Sequence, residues 1–445
     1  MFCKQCGSEV PEGAESCPAC GARQDGEKPA GNAASPEGSA SQPSSADVMK
    51  TASQVARNVA DAATHAVGQA ADKLNEIAGG TGHVDLRFAD FFDRVLKRHN
   101  RSEAEGLFAC GGPTTTPELS EVSREWPHPW LYSRVFLVLL VSLVCFWGIS
   151  YLVANGSGAH ASYYAGFAGF MLMSVLIVNV TVLTFFFETN APRNLSLAAV
   201  LGILFVGGAL SQLVTTLAES LFSSAGAFGA ILSSVIATLA QAALIYVFMS
   251  RLPHRNYVFT GMLVGAAVGA GFAVFDGLGK IVSVSMSCAS PSAMFAGMGA
   301  EGLWLAAQAL GGHVVTCAVL GGSLALCDKG EGLTTSSLTS QSFLPFLGIV
   351  LAVRILWTID FEGVLMLGTP LFDLFGLKGF LAGAAQGTAG LDSFTIIHAL
   401  LTVFAWVMVA VMLNRALAQM NELTSEAAAE SRAESEKGER AATIG

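Results

Sequence analysis

Two groups of residues in this chain have the types and spacing to do chemistry. The first lies at its start. Cys3 and Cys6 are separated by two residues, ten more follow, and Cys17 and Cys20 repeat the two-residue spacing. Such a pair lets both thiolates reach one metal ion from a tight turn. Gly7 and Gly21 follow the pairs, where the backbone must fold back and its amides can point at sulfur. Two knuckles of this kind give tetrahedral sulfur coordination, the closed geometry of a structural zinc site with no open position for catalysis. A redox dithiol or disulfides are the alternative uses of the same residues. In a reducing compartment metal binding is the commoner one. A ribbon over residues 1–23 is too short to bury a core, so zinc would supply most of its folding energy. The remaining cysteines, Cys110, Cys145, Cys288, Cys317 and Cys327, are scattered and read as small buried side chains.

The second group consists of ionisable residues inside long apolar stretches: Asp276, His313, Arg354, Asp360 and His398, with Lys280 at the end of a stretch. A charge at the centre of a bilayer costs roughly 2.5–3.5 kcal/mol even on the lenient insertion scale, so each such group should be paired or functional. Asp276 and Arg354 are expected to form a structural ion pair, carboxylate within about 4 Å of guanidinium, with Lys280 one turn along from Asp276. His398 reads as a hydrogen-bonded packing residue and Glu301 as an interface residue.

The elements that must carry these groups follow from composition. Of 445 residues, 52% are apolar and 13% charged, the latter about half the roughly 25% of soluble proteins. Most charges lie before Tyr132 or after Leu413. The net charge of -10 therefore describes the tails, and it gives no support to nucleic-acid binding, which needs a basic face. The start has neither the apolar stretch nor the cleavage site of a signal peptide. Residues 24–46 read as a Gly/Ala/Ser/Pro linker. Residues 47–78 read as an Ala-rich amphipathic helix of soluble type, ended by Gly79-Gly80. Residues 84–126 read as a small cytoplasmic helical segment with Leu86, Phe88, Phe91, Phe92, Val95 and Leu96 on its apolar side.

Eight stretches approach the ~20 residues that cross a bilayer: 131–153, 163–187, 196–219, 227–249, 257–276, 311–328, 343–360 and 393–414. Residues 292–310, interrupted by Glu301, read as an interfacial or re-entrant helix. The fold class is thus an all-α polytopic membrane protein with a small N-terminal zinc ribbon. Arg193, Arg251, Arg255, Lys329 and Arg415 fall on one side of an eight-span arrangement, and Lys280 and Lys378 on the other. That bias favours both termini in the cytoplasm. Residues 421–445 read as a disordered tail.

Within 130–420 several segments occur in the order of a known family. They are Phe186-Phe187-Glu188-Thr189-Asn190-Ala191-Pro192-Arg193-Asn194, the Gly-rich run Gly265–Asp276, Gly312-His313-Val314-Val315, and Ala416 to Glu422. This region resembles the PrsW family of bacterial intramembrane proteases, distant relatives of the CAAX prenyl proteases. The resemblance implies a helical bundle in the bacterial cytoplasmic membrane that cleaves a single-span substrate. It also implies a site built from a Glu-Glu-x-x-Lys motif, a Phe-x-x-x-Glu motif and histidines. Here Ala237-Thr238-Leu239-Ala240-Gln241 stands at the first motif and Phe272 with Asp276 at the second. His313 matches, and Arg354 replaces the later histidine. Asp276 and His313 are the remnants of the catalytic set. The substitutions point to a homologue without full proteolytic power that binds a membrane-protein partner and signals through the ribbon. The alternative is a working endopeptidase cleaving a substrate such as an anti-sigma factor.

Overall fold

The structure, a computed structural model of the chain, describes residues 64–81, 86, 88–112, 114–154, 161–252, 256–330, 332–358 and 393–444. All belong to the second of the two units into which the chain divides, Ala62–Gly445. The four ribbon cysteines, the linker, residues 47–63 of the Ala-rich helix, and Asp360 lie outside the described residues.

The described elements are α1 (64–77), α2 (Arg101–Phe108), α3 (Leu131–Ala154), α4 (Ala161–Thr189), α5 (Leu197–Phe222), α6 (Gly226–Ser250), α7 (Val258–Ser287), α8 (Pro291–Ala309), α9 (His313–Ala325), α10 (Leu344–Thr358) and α11 (Ser393–Ile444). Among the described residues there is no strand. Six helical stretches are long and apolar enough to cross a membrane. One of them, Leu197–Ser250, contains both α5 and α6. These two helices reverse at Ser223–Ala225 and Gly226, whose φ of +55° favours glycine, and pack on each other. The best window of α3 has a mean hydropathy of 2.5, yet only 6% of it is buried. An apolar face of that extent has no place in water, and its 22 residues reach about 33 Å, enough for a hydrocarbon core. The architecture is that of a multi-pass, all-helical membrane protein.

The bundle is organised around α7. Every residue from Val258 to Phe272 is buried. The reason is the glycine spacing. Gly261, Gly265 and Gly269 recur at four-residue steps on one face, where any Cβ would land on the backbone of Gly321, Cys317 and His313 in turn. Gly271, on another face, lies in the same way against Leu204 and Gly208 of α5. Small residues at this spacing let helix backbones touch, which is how helices gain contact in a solvent that offers no hydrophobic drive between them.

The segment expected to be an interfacial or re-entrant helix is a regular helix, α8, packed on α7 and α4. Ser290 caps it by accepting from the Ala293 amide at 3.2 Å, and Pro291 opens its first turn. Gly297 lies against Val284 and Gly277 against Leu305, continuing the antiparallel order in which Gly269 meets His313 and Gly261 meets Gly321. The chain from α8 to α9 therefore runs back along α7 as one interrupted helix, broken at Leu310–Gly312. α7 itself continues past Asp276 to Ser287, about 45 Å in all.

Polar anchors close the ends. Glu188, only 6% exposed, accepts from the amides of Trp130, Leu131 and Tyr132 at 2.9, 2.6 and 2.7 Å, placing a carboxylate on the N-terminus of α3. Gln419 of α11 accepts from Val258 N at 2.9 Å at the start of α7. Beyond α9, Asp328 accepts from Asn256 N and Nδ2 at 3.0 and 2.9 Å and from the amides of Gly330 and Gly332 at 2.8 and 3.1 Å. On the near side, Leu74, Ala78 and Phe91 join the main core. The tail is a correction. α11 runs on to Ile444, where composition led us to expect disorder from residue 421. Ala, Glu, Lys and Arg are strong helix formers, and Leu423 and Thr424 are buried, so the span has a seeded helix to propagate.

Two outcomes follow. Gly265→Ala forces a methyl onto the Cys317 carbonyl and should cost about 2–3 kcal/mol. Gly202→Ala, which meets nothing within 4 Å, should be neutral or slightly stabilising. Equal melting temperatures for the two variants in detergent would contradict the close α7–α9 contact. Burial of Asp328 works to raise its pKa, but the hydrogen bonds from Asn256, Gly330 and Gly332 outweigh it and hold the carboxyl below its ordinary value. A depressed folded pKa contributes stability above the unfolded value, near about 3.9, that is lost as the pH falls through the folded one. The melting difference between wild type and Asp328→Ala should therefore be constant near neutrality and shrink below about pH 4.

Candidate functional site

The interruption between α8 and α9 places the first residue of α9, His313, inside the bundle rather than at its edge. Several constraints fix the break. Trp406 of α11 donates from Nε1 to the Leu310 carbonyl at 2.7 Å, satisfying an acceptor that the helix end leaves open. Gly311 lies directly against Thr402 of α11, with no room for a side chain. Gly269 lets the His313 backbone sit on α7.

Beside the break lies a cavity of about 220 Å³. Asp276 and Lys280 of α7, Gln308, Gly312 and His313 at the break, and Arg354 of α10 line it, with Asn179 of α4. The sequence-predicted residues Asp276, His313 and Arg354 thus share one cavity. Their pairing differs from expectation. The Asp276–Arg354 ion pair is not formed. Asp276 Oδ2 instead takes Lys280 Nζ at 2.7 Å, its neighbour one turn along the same helix. A partner four residues away is supplied by the helix itself, whereas reaching across to α10 requires two helices to hold their spacing.

Arg354 turns to His313. Its Nη2 donates to His313 Nε2. A guanidinium has no lone pair to offer, so Nε2 must be the acceptor and the ring proton sits on Nδ1. Nδ1–H then donates to Gln241 Oε1 of α6 at 3.3 Å, and the Cys317 thiol donates to the same oxygen at 3.3 Å. Phe272 packs against the imidazole with ring centres 4.2 Å apart. His313 is therefore held as a neutral ring with both nitrogens engaged. Sequence reasoning missed Gln241 and Cys317. Gln241 is a polar residue in an otherwise apolar span, which was the available signal. Cys317 gave none, because a lone cysteine in an apolar helix looks like any small core residue. His398 lies apart from the cavity-lining charges, between the indoles of Trp304 and Trp357 at ring distances of 5.5 and 4.7 Å.

A second, larger and apolar cavity of about 590 Å³ also borders the break. Val67, Phe91, Tyr132, Phe185 and Trp406 are among its walls, with Leu310 at the break itself. Among the described residues no three His, Cys, Asp or Glu side chains converge as a metal site would need.

Comparison with known proteins bears on the N-terminus. A family model of the zinc-ribbon domain matches residues 2–24, a span that holds Cys3, Cys6, Cys17 and Cys20. No curated protein and no solved structure matches the chain. The chain thus carries an N-terminal zinc-ribbon domain ahead of a multi-pass helical membrane region.

Proposed function

We propose that this chain is a PrsW-like membrane protein that does not hydrolyse peptide bonds, but binds a membrane-protein partner and signals to the cytoplasm through its zinc ribbon. One observation carries the proposal: His313 spends Nε2 on Arg354 and Nδ1 on Gln241. Hydrolysis inside a bilayer needs a group free to take a proton from water and another to stabilise the oxyanion. The imidazole has no free lone pair, Asp276 is tied to Lys280, and the carboxylates of the first family motif are replaced by Ala237 and Thr238. Support for the family reading comes from convergence. Phe272, Asp276, His313 and Arg354 were placed by motif on three separate helices, and the residues meet around one imidazole and its cavity.

On this reading the membrane is the bacterial cytoplasmic membrane, both termini are cytoplasmic, and the chain crosses eight times. α5 and α6 make separate crossings, α8 with α9 makes one interrupted crossing, and α10 makes one. The ribbon binds a structural zinc ion through Cys3, Cys6, Cys17 and Cys20, whose four thiolates leave no open position.

The competing reading, an active endopeptidase cleaving a single-span protein such as an anti-sigma factor, draws on Asp276 and His313 lining one cavity. It requires Arg354 to leave the imidazole. Incubating the detergent-purified protein with a panel of single-span substrates separates the two. We expect no cleavage; cleavage abolished by Asp276→Asn or His313→Ala overturns the non-proteolytic reading. For the ribbon, elemental analysis should find about one zinc per chain and none in a Cys6→Ser/Cys17→Ser double variant. Full zinc content in that variant would rule out the assigned ligands.

A further inference from the structure

The polar cavity holds two buried groups of opposite kind that the protein leaves unsatisfied. Arg354 is the first. Its guanidinium carries several N–H donors. The one that meets a protein acceptor goes to His313, while Nε is buried without any. Asn179 is the second. It is 4% exposed, its Nδ2 donates to Val175 O at 2.8 Å, and its Oδ1 is buried with no donor. Both line the same cavity.

The charges around the cavity do not cancel locally. Lys280 and Arg354 face one carboxylate, Asp276, and that carboxylate is 2.7 Å from Lys280. Glu219 of α5 is the next carboxylate near this pair; it does not line the cavity and forms no ion pair there. His313 is neutral by its hydrogen bonding, and Cys317, beyond Gln241, is a thiol donor. Arg354 is therefore a cation at membrane depth with no carboxylate within ion-pair distance, an arrangement that is costly unless something anionic joins it. The start of α9 adds to this. Gly312 supplies no capping side chain, so the first-turn amides of α9 keep their partial positive charge at the cavity wall.

We infer that this cavity binds a protonated phosphate group, as free phosphate or as the phosphomonoester head of a lipid. The oxyanion would accept from Arg354, whose planar fork suits phosphate geometry, and the P–OH would donate to Asn179 Oδ1. A carboxylate ion or a halide answers only the first of these needs. The volume of about 220 Å³ admits such a group with accompanying water, each water taking about 30 Å³. This assignment goes beyond the proposed function and stands whether or not the chain cleaves peptides.

The test uses the full-length chain in two arms. In detergent, inorganic phosphate is titrated against acetate and chloride at matched ionic strength, with melting temperature and calorimetry as readouts. In nanodiscs, phosphatidylcholine with or without phosphatidic acid is compared, and retained lipid is read by native mass spectrometry. We expect phosphate to raise the melting temperature more than acetate or chloride, or phosphatidic acid to be retained selectively. The first result identifies the free ion as the source, the second the lipid. Arg354→Gln should weaken binding about tenfold or more, and Asn179→Ala should remove the preference for phosphate over acetate. Each variant counts only where its ligand-free melting stays cooperative, and either one alone suffices. Absence of a phosphate effect in both arms, or an effect of unchanged size in a folded variant, overturns the assignment.

Discussion

The contact on which the rest of this bundle depends is backbone on backbone. α7 presents Gly261, Gly265 and Gly269 to the carbonyls and α-carbons of α9, and Gly271 to α5, at distances that tolerate no side chain. Helices in hydrocarbon cannot rely on water to drive them together, so close van der Waals approach has to do it. With α7 clamped on two faces, the register of α9 against it leaves no slack. That register decides where the first residue of α9 lies, and the first residue is His313.

The site inherits its character from this geometry. An interrupted helix has amides and carbonyls without partners at the break, tolerable at membrane depth only where other groups meet them. Here Trp406 meets the Leu310 carbonyl on one side, and the polar cavity receives the start of α9 on the other. The break thus borders both an apolar cavity and a polar one. Arg354 completes the arrangement by occupying the imidazole nitrogen that a hydrolytic site would keep free. A cation in that place favours a site that holds an anion over one that makes a nucleophile from water.

Much of the frame was legible beforehand, because its determinants are local. Apolar runs of about twenty residues answer to bilayer thickness, and glycines at four-residue steps answer to helix geometry. Asp276, His313 and Arg354, far apart in the chain, line one cavity, and motif order alone placed them near one another. It did not place their partners. Asp276 chose the lysine on its own helix, because i to i+4 proximity needs no tertiary agreement, and Arg354 took the histidine of α9. The helical tail was misjudged for a related reason. Its composition suggests solvation, but a helix already paid for by a buried span extends through good helix formers at little further cost.

The sequence by itself determined the four-cysteine ribbon spacing, the membrane character of the chain and the close-packed face of α7, since each is set by residue type and spacing within one segment. Only the tertiary structure decided that α8 and α9 form one broken helix, that Gln241 and Cys317 belong to the site, and which charge pairs with which. Those outcomes depend on the register between helices, and register is a property of faces meeting, which no single segment contains.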